Sequence, residues 1–248
     1  MIECDYFANL RHGDAFNNVA ERQHKNGDKR AYDEAIKVPS SMHDLTEEGI
    51  REAIKTGEWL RKQKLTFRRH IVSEHLRALR TAFLLNISGA TWELDARLGE
   101  KDTGILNELT PEDIQSYFSQ RGNNRHELDR YRFRADRGES FLDLWGRVAP
   151  VFASLTAGTL VVGHGHVMRV IDHVMRGRSV WEFDHTVEIP NCALIEYYRR
   201  GNNIWMRRIS IPCHGTLGEW EEMPRAKYSN EDLLVLVNSV VERARKAA

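Results

Sequence analysis

The chain has 248 residues, 41% of them hydrophobic and 29% charged. That is the composition of an ordinary globular protein, long enough to bury most of its unfolded surface without help from a metal or a disulfide. Lysine plus arginine and aspartate plus glutamate are equal at 36 each, so no general attraction to nucleic acid or to an acidic membrane is expected.

Cys4–Leu10 reads as a strand that runs into Arg11-His12-Gly13. Ala20–Asp44 is polar and dense in Lys, Asn, His and Asp, which predicts a long surface insertion with little helix. Leu45-Thr46-Glu47-Glu48-Gly49 opens an apolar period of helical type reaching about Lys64, with Thr46 as N-cap. His70–Ser73 predicts a strand, Leu76 to Ile87 a helix and Trp92–Leu94 a further strand. Arg97–Gly104 is polar and glycine-containing, hence a loop. Thr110 and Pro111 suit the cap and first position of a helix over Pro111–Arg121. Asn123–Gly138, crowded with Arg, Asp and His, predicts a surface excursion, and Glu139–Leu155 an amphipathic helix.

Thr159–Val162 is continuously apolar, as a strand buried on both faces must be. It enters Gly163-His164-Gly165 and a helix from Val167 to about Met175. Asn191–Arg199 and Asn203–Ile211 predict a hairpin, and Ser229 to Ala248 a closing helix. Trp92, Trp145 and Tyr197 are expected in the core. Alternating strands and helices imply an α/β fold: a three-layer sandwich with a mostly parallel central sheet flanked by helices. Neither a repeat nor a linker divides the chain, so residues 1–248 are expected to form one domain with insertions at about 20–44 and 105–138.

Cys4, Cys192 and Cys213 form no CxxC, so neither a zinc site nor a disulfide framework is expected. The first residues lack an apolar run behind a basic flank, and no apolar stretch approaches the roughly 20 residues of a membrane span. Neither a signal peptide nor membrane association is expected, and the cytoplasm is the default location.

Open parallel sheets bind ligands at the carboxyl ends of their strands. Two of the strands end there in a histidine beside glycine, His12 with Gly13 and His164 with Gly165. Arg11, Arg77 and the loop carboxylate Glu100 fall at the same edge. These residue types suit phosphoryl transfer. Guanidinium groups clamp a phosphate dianion with paired donors. A neutral imidazole attacks phosphorus and holds the group covalently. A carboxylic acid protonates the departing alkoxide. Glycine beside each histidine lets the backbone approach the phosphate.

The ordered set resembles the histidine phosphatase superfamily, the phosphoglycerate-mutase-like enzymes. The likeness rests on Arg11-His12-Gly13, on Asn18 six residues after His12, and on Leu45-Thr46 with Gly49 and Ala53. It continues through Ser73, Arg77-Ala78 and Thr81-Ala82, then Arg97-Leu98, Glu100 and Gly104. It ends with Gly138-Glu139-Ser140, with His164 after an apolar strand, and with Pro190-Asn191. The resemblance implies His12 as phosphate acceptor, Arg11 and Arg77 as phosphoryl clamps, and His164 as the group completing the pocket. It implies Glu100 as proton donor and later base, with Asn18 a secondary contact to phosphate or leaving group. It implies a phosphomonoesterase that takes a small phosphorylated substrate through a phosphohistidine, with neither cofactor nor metal.

Asp14 and Ala15 depart from the Glu and Ser or Thr usual after the motif, and Ala15 removes a hydroxyl that would touch phosphate. The Asn-x-Phe-x-Gly-Trp stretch of phosphoglycerate mutases is replaced by Val19–His24, which favours hydrolysis over a mutase reaction. Three alternatives stay open: a phosphomutase, a phosphate-recognition module without turnover, and a metallohydrolase on His164 and His166. His166 is read first as a satisfied or exposed histidine at a helix start, and Arg80 as a solvent-facing arginine. Asp102 and Glu74 are rivals to Glu100 as the acid. Arg130, Arg132, Arg134 and Arg137, interleaved with Asp129 and Asp136, read as a self-paired solvated face.

Overall fold

The computed structural model describes residues 5–120, 129–184, 188–200, 203–210 and 216–223, with single positions of a C-terminal helix between 231 and 245. Its strands are β1 (Tyr6–Arg11), β2 (Arg69–Val72), β3 (Trp92–Leu94), β4 (Thr159–Gly163), β5 (Leu194–Arg200), β6 (Asn203–Ser210), β7 (Thr216–Leu217) and β8 (Glu221–Met223). They form one sheet in the order β3-β2-β4-β1-β5-β6-β7, with β8 also on β6. The sheet is mixed. β3, β2, β4 and β1 are mutually parallel, with Arg11 opposite Gly163 and Val72 opposite Val162. From β5 onward the pairing is antiparallel.

The longer helices are α1 (Phe16–Lys25), α2 (Arg30–Ala35), α3 (Glu47–Lys62), α4 (Leu76–Leu84), α5 (Pro111–Gln120), α6 (Phe141–Ala153) and α7 (Gly165–Met175). Side chains alternate across a strand, so each central strand feeds two cores. Ala8, Leu10, Val72, Leu160 and Val162 pack on one face with Leu60 of α3 and Ala78 and Ala82 of α4. Phe7, Ile71, Val161, Ile195 and Tyr197 pack on the other with Leu144, Val148 and Phe152 of α6 and Val167, Val170 and Ile171 of α7. The result is the three-layer α/β sandwich. All five residues of β4 are buried, as a central strand covered on both faces requires.

Local chemistry starts the helices where the spacing predicts. Thr46 Oγ1 accepts from Gly49 N at 3.0 Å and caps α3. Ser140 and Asp143 exchange backbone and side-chain bonds at the head of α6, a capping box. Tyr197 is buried in the core, and Trp145 and Trp92 pack partly buried against the two clusters.

Three expectations need adjustment. The segment 20–44 holds the greater part of α1, all of α2 and a 3-10 turn at Ser40–Met42, so it is far more helical than its polarity suggests. Its helices escape notice because α1 buries only Ala20 and α2 only Ala35, leaving no apolar period to read. The excursion before α6 returns to the core: Tyr131 and Ala135 are each 4% exposed. Residues 121–128 lie outside the described residues, as do 201–202 between the paired strands β5 and β6. The polar loop 97–104 carries the 3-10 turn Ala96–Leu98, with Leu98 fully buried. Every described position between 231 and 245 is helical, and the rest of that expected helix lies outside the described residues. Among the described residues no helix is long and apolar enough to cross a membrane.

Candidate active site

Three parallel strands deliver their carboxyl ends to one edge of the sheet. β1 ends at Arg11 and passes His12, β2 passes Ser73, and β4 passes His164. The β1–β4 ladder runs on into His12, whose N donates to Gly163 O at 3.0 Å. The His12 carbonyl accepts from Cys192 N at 3.1 Å and from Asn191 Nδ2 at 3.2 Å. The backbone of this histidine is therefore fixed on both sides.

Its ring is 2.7 Å from Gly13 O through Nδ1 and 3.1 Å from Arg77 Nε through Nε2. A carbonyl only accepts and a guanidinium N–H only donates, so Nδ1 carries the proton and Nε2 presents a lone pair. Burial, joined by the charges of Arg77 and Arg11, pushes the His12 imidazole well below its usual range. His12 is neutral and locked in one tautomer, with its lone-pair nitrogen beside a cation.

Arg77 stands in the first turn of α4 and is 1% exposed. Its Nη1 donates to Ser40 O at 2.5 Å. Thr81, one turn on, donates its hydroxyl to Arg77 O at 2.7 Å and accepts from Gly13 N at 3.0 Å. One side chain thus ties the arginine's helix to the histidine's loop. Arg11 Nη1 bonds Ile189 O, while its Nε is buried without a partner. Gly165 lies against this guanidinium: a Cβ there would stand 3.5 Å from Arg11 Nε.

Gly13 has a packing reason beyond the one expected for it. A Cβ on Gly13 would meet Gly49 O at 2.6 Å, and a Cβ on Gly49 would meet Asp14 O at 1.9 Å. The motif loop and the first turn of α3 touch backbone to backbone, so the space at Gly13 is filled by α3. Asp14 strengthens the same joint, accepting from Arg22 at 2.8 and 2.9 Å and from Thr46 Oγ1 at 3.1 Å.

His164 is the N-cap of α7 and is fully buried. Its Nε2 is 2.8 Å from Ser73 Oγ, its Nδ1 has no partner, and its ring centroid is 5.2 Å from that of His12. Burial and the charge of Arg77 push this imidazole down as well. His75 stacks edge-on against it at 4.7 Å and is pushed down by burial to about 4.

Glu100 reaches the head of α7, accepting from His166 N at 3.3 Å, with His166 Nδ1 3.2 Å from the carboxylate. Burial alone would raise this carboxyl, but His166 by charge and hydrogen bond, with His164 and Arg77, holds it well below the usual carboxylate range. Its backbone is held from behind. Arg147 Nη2 donates to Glu100 O at 3.0 Å, and Glu139 grips Arg147 at 2.7 and 2.9 Å. Gly104 and Gly138 close the same support, since a Cβ on Gly104 would meet Gly138 N at 2.4 Å.

Asn18 is mostly engaged in structure. Its Oδ1 accepts from Ala15 N and from Asn191 Nδ2, each at 3.2 Å. It also lines a cavity of about 500 Å³ together with Arg11 and Arg169.

His12, Arg11, Arg77, His164 and Glu100 therefore gather at one sheet edge, with Gly13, Gly165 and Asn18 around them. Arg80 instead pairs with Asp44 at the surface. Arg132 pairs with Asp129 inside its own cluster, whereas Arg134 and Arg137 reach out of it to Asp143 and Glu108, so the exposed face is paired but only partly with itself. Reading the sequence missed His166 as the partner of Glu100, although its place two residues past His164 at a helix head was a usable signal. It missed the bracing roles of Thr81 and Ser73, which stood inside a quoted motif. For Arg147, two turns along α6, the sequence held no signal. Among the described residues no group of three or more His, Cys, Asp or Glu is placed to hold a metal ion.

Comparison with known proteins gives the family and the fold. A family model described as histidine phosphatase superfamily (branch 1) matches residues 9–211. A 6-phosphofructo-2-kinase/fructose-2,6-bisphosphatase of Caenorhabditis elegans is 29% identical over 180 residues, 72% of this chain and 38% of that protein. The Gallus gallus counterpart is 32% identical over 129 residues, 51% of this chain and 27% of that protein. The chain thus spans well under half the length of these relatives. Among solved structures, mycobacterial glucosyl-3-phosphoglycerate phosphatase in complex with VO3 superposes with a TM-score of 0.62 at 21% identity, covering 84% of this chain and 99% of that one. The α-ribazole phosphatase of Shigella flexneri gives 0.64 at 17% identity, covering 84% and 96%. At these identities the likeness is one of fold.

Proposed function

The chain belongs to the histidine phosphatase superfamily, and from that premise we propose that it is a cytosolic, metal-independent phosphomonoesterase that acts on a small organic phosphate through a phosphohistidine at His12. We take residues 1–248 as one domain, with 20–44 and 105–138 as insertions beside the site. The observation that carries the reading is the His12 tautomer: the proton is spent on Gly13 O, and the lone pair of Nε2 faces the pocket arginine.

The chemistry follows from the placement. A phosphate dianion replaces His12 as the acceptor for Arg77 Nε and gives the buried Nε of Arg11 a partner. His12 Nε2 attacks phosphorus; the P–N bond forms as the ester P–O bond breaks. Glu100 supplies a proton to the departing alkoxide. At rest it is ionised, but the arriving dianion opposes its charge and draws a proton onto it. His164 faces the charge that gathers on the equatorial oxygens. Water then attacks phosphorus, giving its proton to Glu100, and the P–N bond breaks to release inorganic phosphate.

The test is direct. His12→Ala is expected to lose at least about 10³-fold in turnover of 4-nitrophenyl phosphate. Wild type should carry an acid-labile, alkali-stable phosphoryl label that the variant lacks, and a chelator should leave the wild-type rate unchanged. Retention of most activity by the variant refutes the mechanism.

A further inference from the structure

We infer that the alcohol half of the substrate is predominantly apolar and carries no second phosphate, and that it sits in the open cavity between the two insertions; this rests on the phosphatase reading of the same site. Two openings lie near the site, one of them lined by Arg11, and Glu21 and Lys25 line both. The one containing Arg11 and Asn18 is charged, with four basic residues against five acidic ones. Its cations are already balanced, as Asp14 shows by gripping Arg22. A second phosphate entering there meets no surplus of positive charge.

The other opening has a volume of about 420 Å³. That lies within the roughly 300–1,000 Å³ of small-molecule sites. Tyr32, Ile36, Val38, Leu106, Pro111 and Ile114 form the apolar part of its wall, and polar residues including Glu21, Lys25 and Asn107 line the rest. It adjoins the chemistry at two points. Ser40, whose carbonyl holds Arg77, lies on its rim with His43, which is 6% exposed. Thr103, three residues past Glu100, lies on the opposite side. The acid that protonates the leaving group and the wall of this cavity belong to one loop, so the leaving alcohol departs toward the apolar wall. Asn17 also lines the space, and its Oδ1 is buried without a partner, a buried acceptor that a ligand donor would satisfy.

The wall is built as a clasp. Glu112, at the head of α5, is 2.5 Å from Lys29 and 3.3 Å from His24, and Tyr32 OH donates to Leu109 O at 3.3 Å. These contacts hold the two insertions to each other beside the cavity.

Two primary-alcohol esters with leaving groups of similar basicity, 2-phenylethyl phosphate and glycerol 3-phosphate, test the assignment. The first should exceed the second by about 10- to 100-fold in kcat/KM, the scale on which apolar pockets discriminate. Fructose 2,6-bisphosphate should be turned over no better than glycerol 3-phosphate. Ile36→Asp, and Leu106→Asp on the other insertion, should each collapse the ratio toward one, mainly through KM. Because the ratio is taken within one preparation, partial misfolding of a variant cancels. Equal kcat/KM for the two esters in wild type, or a preference for the bisphosphate, overturns this inference and leaves the phosphatase reading standing. A ratio unmoved by either variant overturns the choice of cavity. Release of phosphate from none of the three esters overturns the phosphatase reading, and this inference falls with it.

Discussion

The proposed mechanism asks a buried histidine to stay unprotonated, and His12 meets that demand by being costly to charge. Burial and two neighbouring guanidiniums all disfavour the imidazolium, so its folded value lies well below the ordinary 6.5 or so. The sign for stability follows by linkage. As pH falls through about 6.5 the unfolded chain takes up protons that the folded His12 and His164 refuse, so stability declines on the acid side. Glu100, held below its usual range, adds to the decline at still lower pH. For turnover the same shift acts the other way: the nucleophile stays competent below pH 6.5. We expect kcat at saturation with 4-nitrophenyl phosphate, which needs no acid, to hold within about twofold from pH 7 to 5.5. With an alkyl ester kcat should fall as pH rises and Glu100 loses its proton. Glu100→Gln should abolish that dependence and cost the alkyl ester far more than the aryl ester, which loses only the base for the water step. An acid limb near pH 6.5 on the aryl ester would show that His12 titrates normally.

The joint between the motif loop and α3 carries the largest structural penalty for a small change. Helix interiors favour alanine over glycine by about 1 kcal/mol, so Gly49→Ala would stabilise an isolated α3. Here the added Cβ would lie 1.9 Å from the Asp14 carbonyl oxygen, and backbone cannot swing aside as a flexible side chain does. We expect Gly49→Ala to destabilise the fold by about 4 kcal/mol or more, read from denaturant midpoints, and to depress kcat because the displaced loop carries His12. Propensity and packing thus predict opposite signs, and the measurement separates them. The same contrast explains what the sequence disclosed. α7 buries a broad apolar stripe and β4 holds the unbroken apolar run Leu160–Val162, while α3, which buries Gly49, Ala53, Thr56, Gly57 and Leu60, is announced by its cap Thr46. α1 and α2 bury one alanine each, so the polar insertion that holds most of them shows only a little helix in its sequence. The histidines and arginines stood out because each follows a strand or opens a helix at a fixed offset. His166 was underrated because the partner that gives it meaning, Glu100, comes from a loop 66 residues earlier.

At the scale of the molecule, a sheet with two apolar faces fixes the five central side chains, and two segments with hardly any core of their own shape the space beside them. What joins those segments is polar and exposed: Lys29 and Glu112 keep more than half of their side-chain surface, and a shared carboxylate holds both Lys29 and His24. Such pairs are weak one at a time and screened by salt. The lysine's hydrogen bond lowers the Glu112 carboxyl to about 2, so the Lys29–Glu112 pair is charged at neutral pH and would be lost only as pH falls toward that value. The cap should therefore open locally without disturbing the sheet. In Glu112→Gln, amide exchange in α2 should rise by about two- to fivefold at low salt and that in β4 should not change. Added salt should raise α2 exchange in wild type toward the variant's level and move the variant little. Equal acceleration in α2 and β4 would mean that the insertions and the central sheet unfold as one unit, and that the cavity wall is as rigid as the catalytic edge it adjoins.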